Sequence, residues 1–382
     1  MNTRRVGQEY LGFKVAELHN WKTKPLPNPF SQETNHHFMS TTRTNVNSLG
    51  EFGLIDRLTE DFATQQKTTL LGVGDDAAII ATGGPEQLLV STDMLVEGIH
   101  FDLAYTPLKH LGYKSVVVNI SDICAMNGRP QQVTVSIAIS NRFSVEALEE
   151  FYAGIRLACQ HYGVDLIGGD TTSSNKGLYI SVTAIGRAPE DRIARRSGAK
   201  AGDIMCITGN LGAAYLGLQI LEREKRIYEE NPGVQPDMGE RGKYLLERQL
   251  KPEARTDMVD AFAKANLVPT AMIDVSDGLA SEVFHLCKSS GLGAIVEESG
   301  VPIHEDAQLQ ALEFNIDPIT CALSGGEDYE LLFTVDPKDL DKVRFMPDIY
   351  ICGEMTEASE GVKLHSKGGK IHPLKAQGWN HF

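Results

Sequence analysis

The sequence has 382 residues, with 36 Lys plus Arg against 51 Asp plus Glu, a formal charge of −15 and a hydrophobic share of 42%. That length predicts two domains rather than one simple core, and the composition is that of a soluble globular protein. The acidic balance excludes a nucleic-acid binder built on a basic face, and no apolar run approaches the ~18 residues needed to span a bilayer. No apolar stretch follows Arg4 and Arg5, so no secretory leader is expected and a cytoplasmic protein is. The six cysteines (Cys124, Cys159, Cys206, Cys287, Cys321 and Cys352) form no C-x-x-C pair and mostly sit among apolar neighbours. They read as buried or free thiols of a reducing compartment, not as disulfides or zinc ligands.

Residues 1–48 are polar and aperiodic, as in KPLPNPFSQETNHHF, and predict a disordered or loosely attached extension. Regular patterning begins at LGEFGLIDRL. Strands are expected at 77–81, 87–93, 132–140, 164–170 and 178–186, with helices over about 108–126 and 145–162 between them. Ser144 is placed to cap the second helix. Residues 49–186 thus predict a first α/β domain with mixed strands. A second α/β domain is expected over 187–382, with strands at 203–209, 271–275, 293–298, 329–335 and 348–354. Its helix at NLGAAYLGLQILER precedes a polar insertion, EENPGVQPDMGERGK.

The sequence contains no G-x-x-x-x-G-K-[ST] loop, no H-R-D and no D-F-G; GNLGAA is only a weak echo of a dinucleotide fingerprint. What it has is aspartates at strand ends and tight turns: GVGDDAA (Asp75, Asp76), VSTDML (Asp93), NISDICAM (Asp122), LIGGDTT (Asp170), IDVSDGL (Asp274, Asp277) and SGGEDYELLF (Glu327, Asp328). Any one of these phrases is equally an ordinary turn or helix N-cap. Their combination is harder to place structurally, because two unit charges ~4 Å apart repel by roughly 4 kcal/mol at an effective dielectric of 20. Such a cluster calls for cations, and oxygen-only ligands select hard ions such as Mg²⁺ bridging to nucleotide phosphates.

Taken in order, GEFGLIDRL, GVGDDAA, VSTDMLVEGIHF, NISDICAMNGRP, LIGGDTT, RRSGAKAGD, IDVSDGL and LSGGEDYELLFTV resemble the thiamine-monophosphate kinases. The resemblance runs from about residue 49 to the terminal GWNHF and leaves out residues 1–48. It implies the two-domain fold of the aminoimidazole-ribotide-synthetase superfamily, a homodimer whose N-terminal sheets join in a barrel, and Mg²⁺-dependent transfer of phosphate from ATP to thiamine monophosphate. By motif, Asp76, Ser91, Thr92, Asp93, Asp122, Asp170, Asp274 and Asp277 would hold several Mg²⁺ ions. Tyr152, Gly169, Asp170, Arg196 and Ser276 would contact ATP. His100, Glu327 and Trp379 would face thiamine phosphate. Each of these last roles has a plainer counterpart: a core histidine at His100, a packing anchor at Trp379, a surface cation at Arg196. No general base is assigned, and none is needed for an acceptor that is already a phosphate. The selenide-using and hydrogenase-maturation branches of the superfamily would want a reactive cysteine in the N-terminal segment or at the extreme C-terminus. Residues 1–123 hold no cysteine and the sequence ends Asn380-His381-Phe382. A non-catalytic holder of nucleotide or thiamine phosphate is the remaining alternative, and it would not need so many like charges together.

Overall fold

A computed structural model of the chain describes residues 49–375, which fall within one compact unit. The expectations for residues 1–48 and for Trp379 lie outside the described residues.

The described chain opens with α1 (Gly50–Thr59), then β1 (Thr69–Leu71), β2 (Ala78–Ile80) and β3 (Glu86–Val96). Two helices, α2 (Leu108–Ala125) and α3 (Val145–Tyr162), alternate with β4 (Arg129–Ile139), β5 (Asp165–Ser173) and β6 (Tyr179–Pro189). The six strands form one sheet in the order β1-β2-β3-β6-β4-β5, antiparallel except for the β4–β5 pair. Burial alternates along β6 residue by residue, the period-2 signature of a sheet with one covered face. β5 differs: it is the edge strand and all nine of its residues are exposed.

Ser144 caps α3 as its sequence predicts, its Oγ accepting from Ala147 N at 3.3 Å, and Gly163 ends the helix at φ 64. α2 begins after Pro107 and is buried along most of its length. The two helices touch backbone to backbone. A Cβ on Gly112 would stand 1.9 Å from the Phe151 carbonyl oxygen, and one on Gly154 would stand 1.9 Å from that of Lys109. Gly112→Ala or Gly154→Ala therefore forces the helices apart, with an expected loss of about 2–4 kcal/mol. Urea denaturation checks this, and a midpoint equal to the parent's would show that the contact can relax at no cost.

The second sheet takes β7 (Ile204–Thr208), β8 (Ala271–Asp274), β9 (Gly293–Glu297), β10 (Leu331–Val335), β11 (Ile349–Thr356), β12 (Val362–His365) and β13 (Ile371–Pro373) in the order β13-β12-β9-β11-β7-β10-β8. Helices α4 (Ala213–Glu230), α5 (Gly242–Leu250), α6 (Thr256–Lys264) and α7 (Leu279–Ser290) surround it, followed by α8 (Glu305–Glu313) and α9 (Pro318–Ser324). One apolar core runs from Ile79 and Leu89 of the first sheet, through Val116, Ile120 and Ile123 of α2, to Phe262, Met272 and Phe333 beside the second. α2 is therefore shared by both sheets. All six cysteines are free thiols. Among the described residues no helix is long and apolar enough to cross a membrane.

Candidate active site

The carboxylates converge where α2 meets both sheets. Asp76 comes from the turn before β2, Asp122 from the last turns of α2 and Asp274 from the end of β8. One oxygen from each lies within 4.8 Å of the others. Each carboxylate has one oxygen held by a protein donor. Arg196 Nε donates to Asp76 Oδ1 at 3.0 Å, Ser91 Oγ to Asp122 Oδ2 at 2.5 Å and Ser121 Oγ to Asp274 Oδ2 at 2.6 Å. The buried Asp76 Oδ2 has no hydrogen-bond partner. Donors that orient one oxygen and leave the other for a ligand are the outer-shell arrangement of metal carboxylates. The all-oxygen donor set suits a hard divalent cation.

The electrostatics agree with that reading. Burial first, then repulsion from Asp76, raises Asp274 to about 7. Burial, followed by repulsion from Asp93, Asp274 and Asp76, pushes Asp122 well above the ordinary carboxylate range. Burial also raises Asp76 against the pull of Arg196, and burial with repulsion from Asp76 raises Asp75 to about 6. Asp93 is open to solvent on one side and crowded by protein on the other. That crowding raises its carboxyl, as do Glu51 and Asp76. Such a constellation is destabilising on its own and marks a site that expects positive charge.

The other predicted residues fall in three places. Thr92 is on β3 beside the cluster, with its hydroxyl donating to the Val182 carbonyl at 3.0 Å; Asp93 N donates to Asn119 Oδ1 at 2.9 Å. Ser276 and Asp277 occupy the turn between β8 and α7, where Asp277 N donates to Glu282 Oε1 at 3.0 Å. The Ser276 carbonyl accepts from Glu327 N at 2.7 Å, which ties the SGGED loop to the same turn. Glu327 is fixed by Lys114 and Gln249, and His100 Nδ1 accepts from Val96 N at 3.0 Å in the loop after β3.

Tyr152, Gly169 and Asp170 form a separate group. With Val135, Leu166, Gly168 and Thr171 they line an open cleft of about 490 Å³ along β5. Gly169 has φ 153, and a Cβ there would lie 1.8 Å from the Val135 carbonyl oxygen, so only glycine fits. Across the sheet, Asp93 pairs with Val182, Val182 with Val135 and Val135 with Gly169. Three strand spacings of ~4.8 Å separate Asp93 from Gly169, roughly 14 Å in all. Within one chain the fold brings Asp76, Asp122 and Asp274 together, with Asp93 beside them, and leaves Asp170 apart.

Sequence patterns missed several members of the site. Asn119, Ser121 and Lys114 look like polar interruptions of a buried helix. Glu282, 2% exposed, sits in the first turn of α7 and is raised well above its usual range by burial and then by Asp277. The available signal was the recurrence of polar residues on helices otherwise too apolar to face water.

Comparison with known proteins is consistent along the chain. Residues 74–188 match the family model described as AIR synthase related protein, N-terminal domain. The thiamine-monophosphate kinase of Aquifex aeolicus is 33% identical over 337 residues, covering 88% of this chain and 99% of that one. The Bacillus subtilis enzyme of the same name is 33% identical over 343 residues, covering 87% of this chain and all of its own. A solved structure of AaThiL complexed with AMPPCP and TMP superposes with a TM-score of 0.76 at 32% identity, covering 90% of this chain and 100% of that one. The hydrogenase maturation protein HypE in complex with ATP, at 19% identity and a TM-score of 0.62, shares the fold.

Proposed function

The chain belongs to the thiamine-monophosphate kinase family, and from that premise we propose its reaction: transfer of the γ-phosphate of ATP to the phosphate of thiamine monophosphate, giving ADP and thiamine diphosphate. The observation that carries the reading is the trio Asp76, Asp122 and Asp274, three buried or half-buried carboxylates with oxygens within 4.8 Å of one another, in a chain related along nearly its whole length to such kinases.

The acceptor is a phosphate monoester with a second pKa near ~6, so it is mostly dianionic at neutral pH and needs no general base. The difficulty lies in bringing two polyanions together in line. Asp76, Asp122 and Asp274, with Asp93 and Asp277 beside them, fit as the residues that hold Mg²⁺; when bound it supplies positive charge to the transferring phosphate oxygens. Arg196 pairs with Asp76 of this trio, and it exchanges Asp76 for nucleotide phosphate as the site fills. Ser276 and the glycine-lined β5 cleft contact nucleotide, while His100 and Glu327 face the thiamine moiety. Phosphate moves directly from donor to acceptor, with no covalent enzyme intermediate.

The protein works as a homodimer. The support is β5, an edge strand with every residue exposed, including Leu166 and Ile167; among the described residues its outer side is unpaired, and an edge of this kind is ordinarily covered. β2 pairs with β3 only over Leu88–Val90, so a dimer that sets the β5 edge of a second copy beside the remaining end of β3 would close the ~14 Å gap and bring a second Asp170 to the carboxylate cluster. The sequence divides near residue 187 into a first half that supplies dimer pairing and most of the metal ligands and a second half that adds Asp274 and Asp277 and completes the substrate site. We place the protein in the cytoplasm, where its free thiols persist.

The test is ADP release by the purified full chain. Release is expected to require both Mg²⁺ and thiamine monophosphate, with intersecting rather than parallel initial-rate plots. Release indifferent to thiamine monophosphate would remove the substrate assignment, and a trapped phospho-enzyme would remove direct transfer.

A further inference from the structure

Glu327 sits in a local structure that costs more than packing needs. Its backbone takes φ 67, the left-handed region that side chains rarely adopt. Its loop is laced to the turn after β8 by Glu327 N on the Ser276 carbonyl at 2.7 Å and Tyr329 N on the Val275 carbonyl at 2.9 Å. From behind, Arg248 of α5 donates to the Asp328 carbonyl at 3.1 Å and to Glu330 Oε1 at 2.9 Å. The side chain is then gripped by a single oxygen. Glu327 Oε2 accepts from Lys114 Nζ at 2.9 Å and from Gln249 Nε2 at 2.6 Å.

The donors are themselves unusual. Lys114 is only 4% exposed, on a helix otherwise given to the core, and its ammonium also donates to the Gln249 carbonyl at 3.0 Å. Gln249 makes its bond while its own Oε1 stays buried with no partner. Buried lysines and orphaned amide oxygens are both unfavourable, and apolar side chains of similar size would fill the space at less cost. Glu327 is 26% exposed at its side chain, so water alone could solvate it. A strained backbone, a buried cation and an orphaned acceptor meeting at one half-open carboxylate point to function rather than stability.

We propose that Lys114, assisted by Gln249, is a positioning residue for thiamine phosphate. Together they hold Glu327 by Oε2, so that its carboxylate meets the cationic thiamine moiety in one fixed orientation. This rests on the reading of Glu327 as a substrate-facing residue. Two donors arriving from α2 and α5 remove the rotational freedom the side chain would otherwise lose on binding. Lys114 Nζ is engaged by Glu327 Oε2 and the Gln249 carbonyl, so on this proposal its contribution falls on binding and not on the chemical step.

The experiment is steady-state kinetics on the full chain with Lys114→Met, Gln249→Ala, Glu327→Ala and the double variant Lys114→Met/Glu327→Ala. With Mg²⁺ and ATP saturating, KM for thiamine monophosphate rises about tenfold in each single variant, the scale of one lost charge-assisted contact. kcat and the KM for ATP stay within about twofold of the parent. The double variant is no worse than Glu327→Ala alone, because Lys114 acts through Glu327. An unchanged KM in Glu327→Ala overturns the substrate-facing reading itself. A raised KM there, with Lys114→Met unchanged, or increments that add in the double variant, overturns the clamp alone. If Lys114→Met does not fold, Gln249→Ala removes the second donor to the same oxygen and carries the same pair of outcomes.

Discussion

Asp122→Asn and Asp170→Asn are each expected to lower kcat by at least about a thousandfold, and a mixture of the two variants to regain activity. Asp122 belongs to the buried trio of α2, the turn before β2 and the end of β8; Asp170 lies three strands away on the exposed edge of the first sheet. If the working site joins the trio of one copy to the β5 edge of another, each variant alone has no complete site. A heterodimer has one site that is wild type at both positions and one that is altered at both. Random pairing then gives about a quarter of the parental activity by twofold symmetry. The measurement is turnover after the two purified variants are unfolded, mixed and refolded, beside each refolded alone. No recovery, with heterodimers demonstrated by differential tagging, would mean that Asp170 serves its own chain's site or none. Asn keeps the volume of Asp and can still accept from Ser91, so loss of fold should not confound the result.

The second large effect is on stability. Between pH 6.5 and 8 the metal-free protein should lose several degrees of melting temperature. The sign follows from the raised carboxyls. Asp274 and Asp328 titrate at about 7 in the folded chain, with burial the main cause in both, and Asp122 and Glu282 lie well above their usual range. Unfolded, all four titrate near ~4. The native state therefore binds more protons across this window, and its stability falls as pH rises through the folded values. The choice of window matters, because burial pushes His285 down to about 4. Between about 4 and about 6.5 that imidazole binds a proton mainly when unfolded, which opposes the carboxyl trend. Mg²⁺ competes with protons for the trio, so it should raise the melting temperature more at pH 8 than at pH 6.5. A melting temperature in EDTA that stays flat or climbs over this range would contradict protonated carboxyls in the folded chain. An equal Mg²⁺ shift at both pH values would separate the metal from the titrating groups.

The sequence made the carboxylates visible because each stands in a short phrase whose apolar neighbours predict burial, and burial of charge is the anomaly that demands an explanation. The long strands β3, β4 and β6 and the helices α2 and α3 were legible for the same local reason, namely sustained periodicity with a cap at Ser144. What escaped is long-range. Lys114 and Glu327 are 213 residues apart, Ser121 and Asp274 are 153 apart, and Arg196 and Asp76 are 120 apart. No period relates such pairs; only the tertiary fold does. The strands β1, β12 and β13 were missed because three or four residues at a sheet margin carry too little alternation to read. The separation of Asp170 from the trio was invisible for another reason. Strand order in the sheet follows β3-β6-β4-β5 and not chain order, so neighbouring motifs in sequence are no guide to neighbouring side chains.

α2 carries Lys114 near its start and Asp122 near its end, on a rod locked between two sheets. At 1.5 Å and 100° per residue, the eight intervening steps fix the two about 12 Å apart along the axis and about 80° apart around it. If Lys114 and Asp122 have the proposed roles, the helix works as a gauge that sets the thiamine grip relative to the phosphate site. Its sequence can drift at core positions as long as volume is kept, but its residue count between those two points cannot change. Adding or deleting a single residue there would swing one end by about 100° while each half still formed good helix. The chain would fold around a site whose two halves no longer address the same substrate.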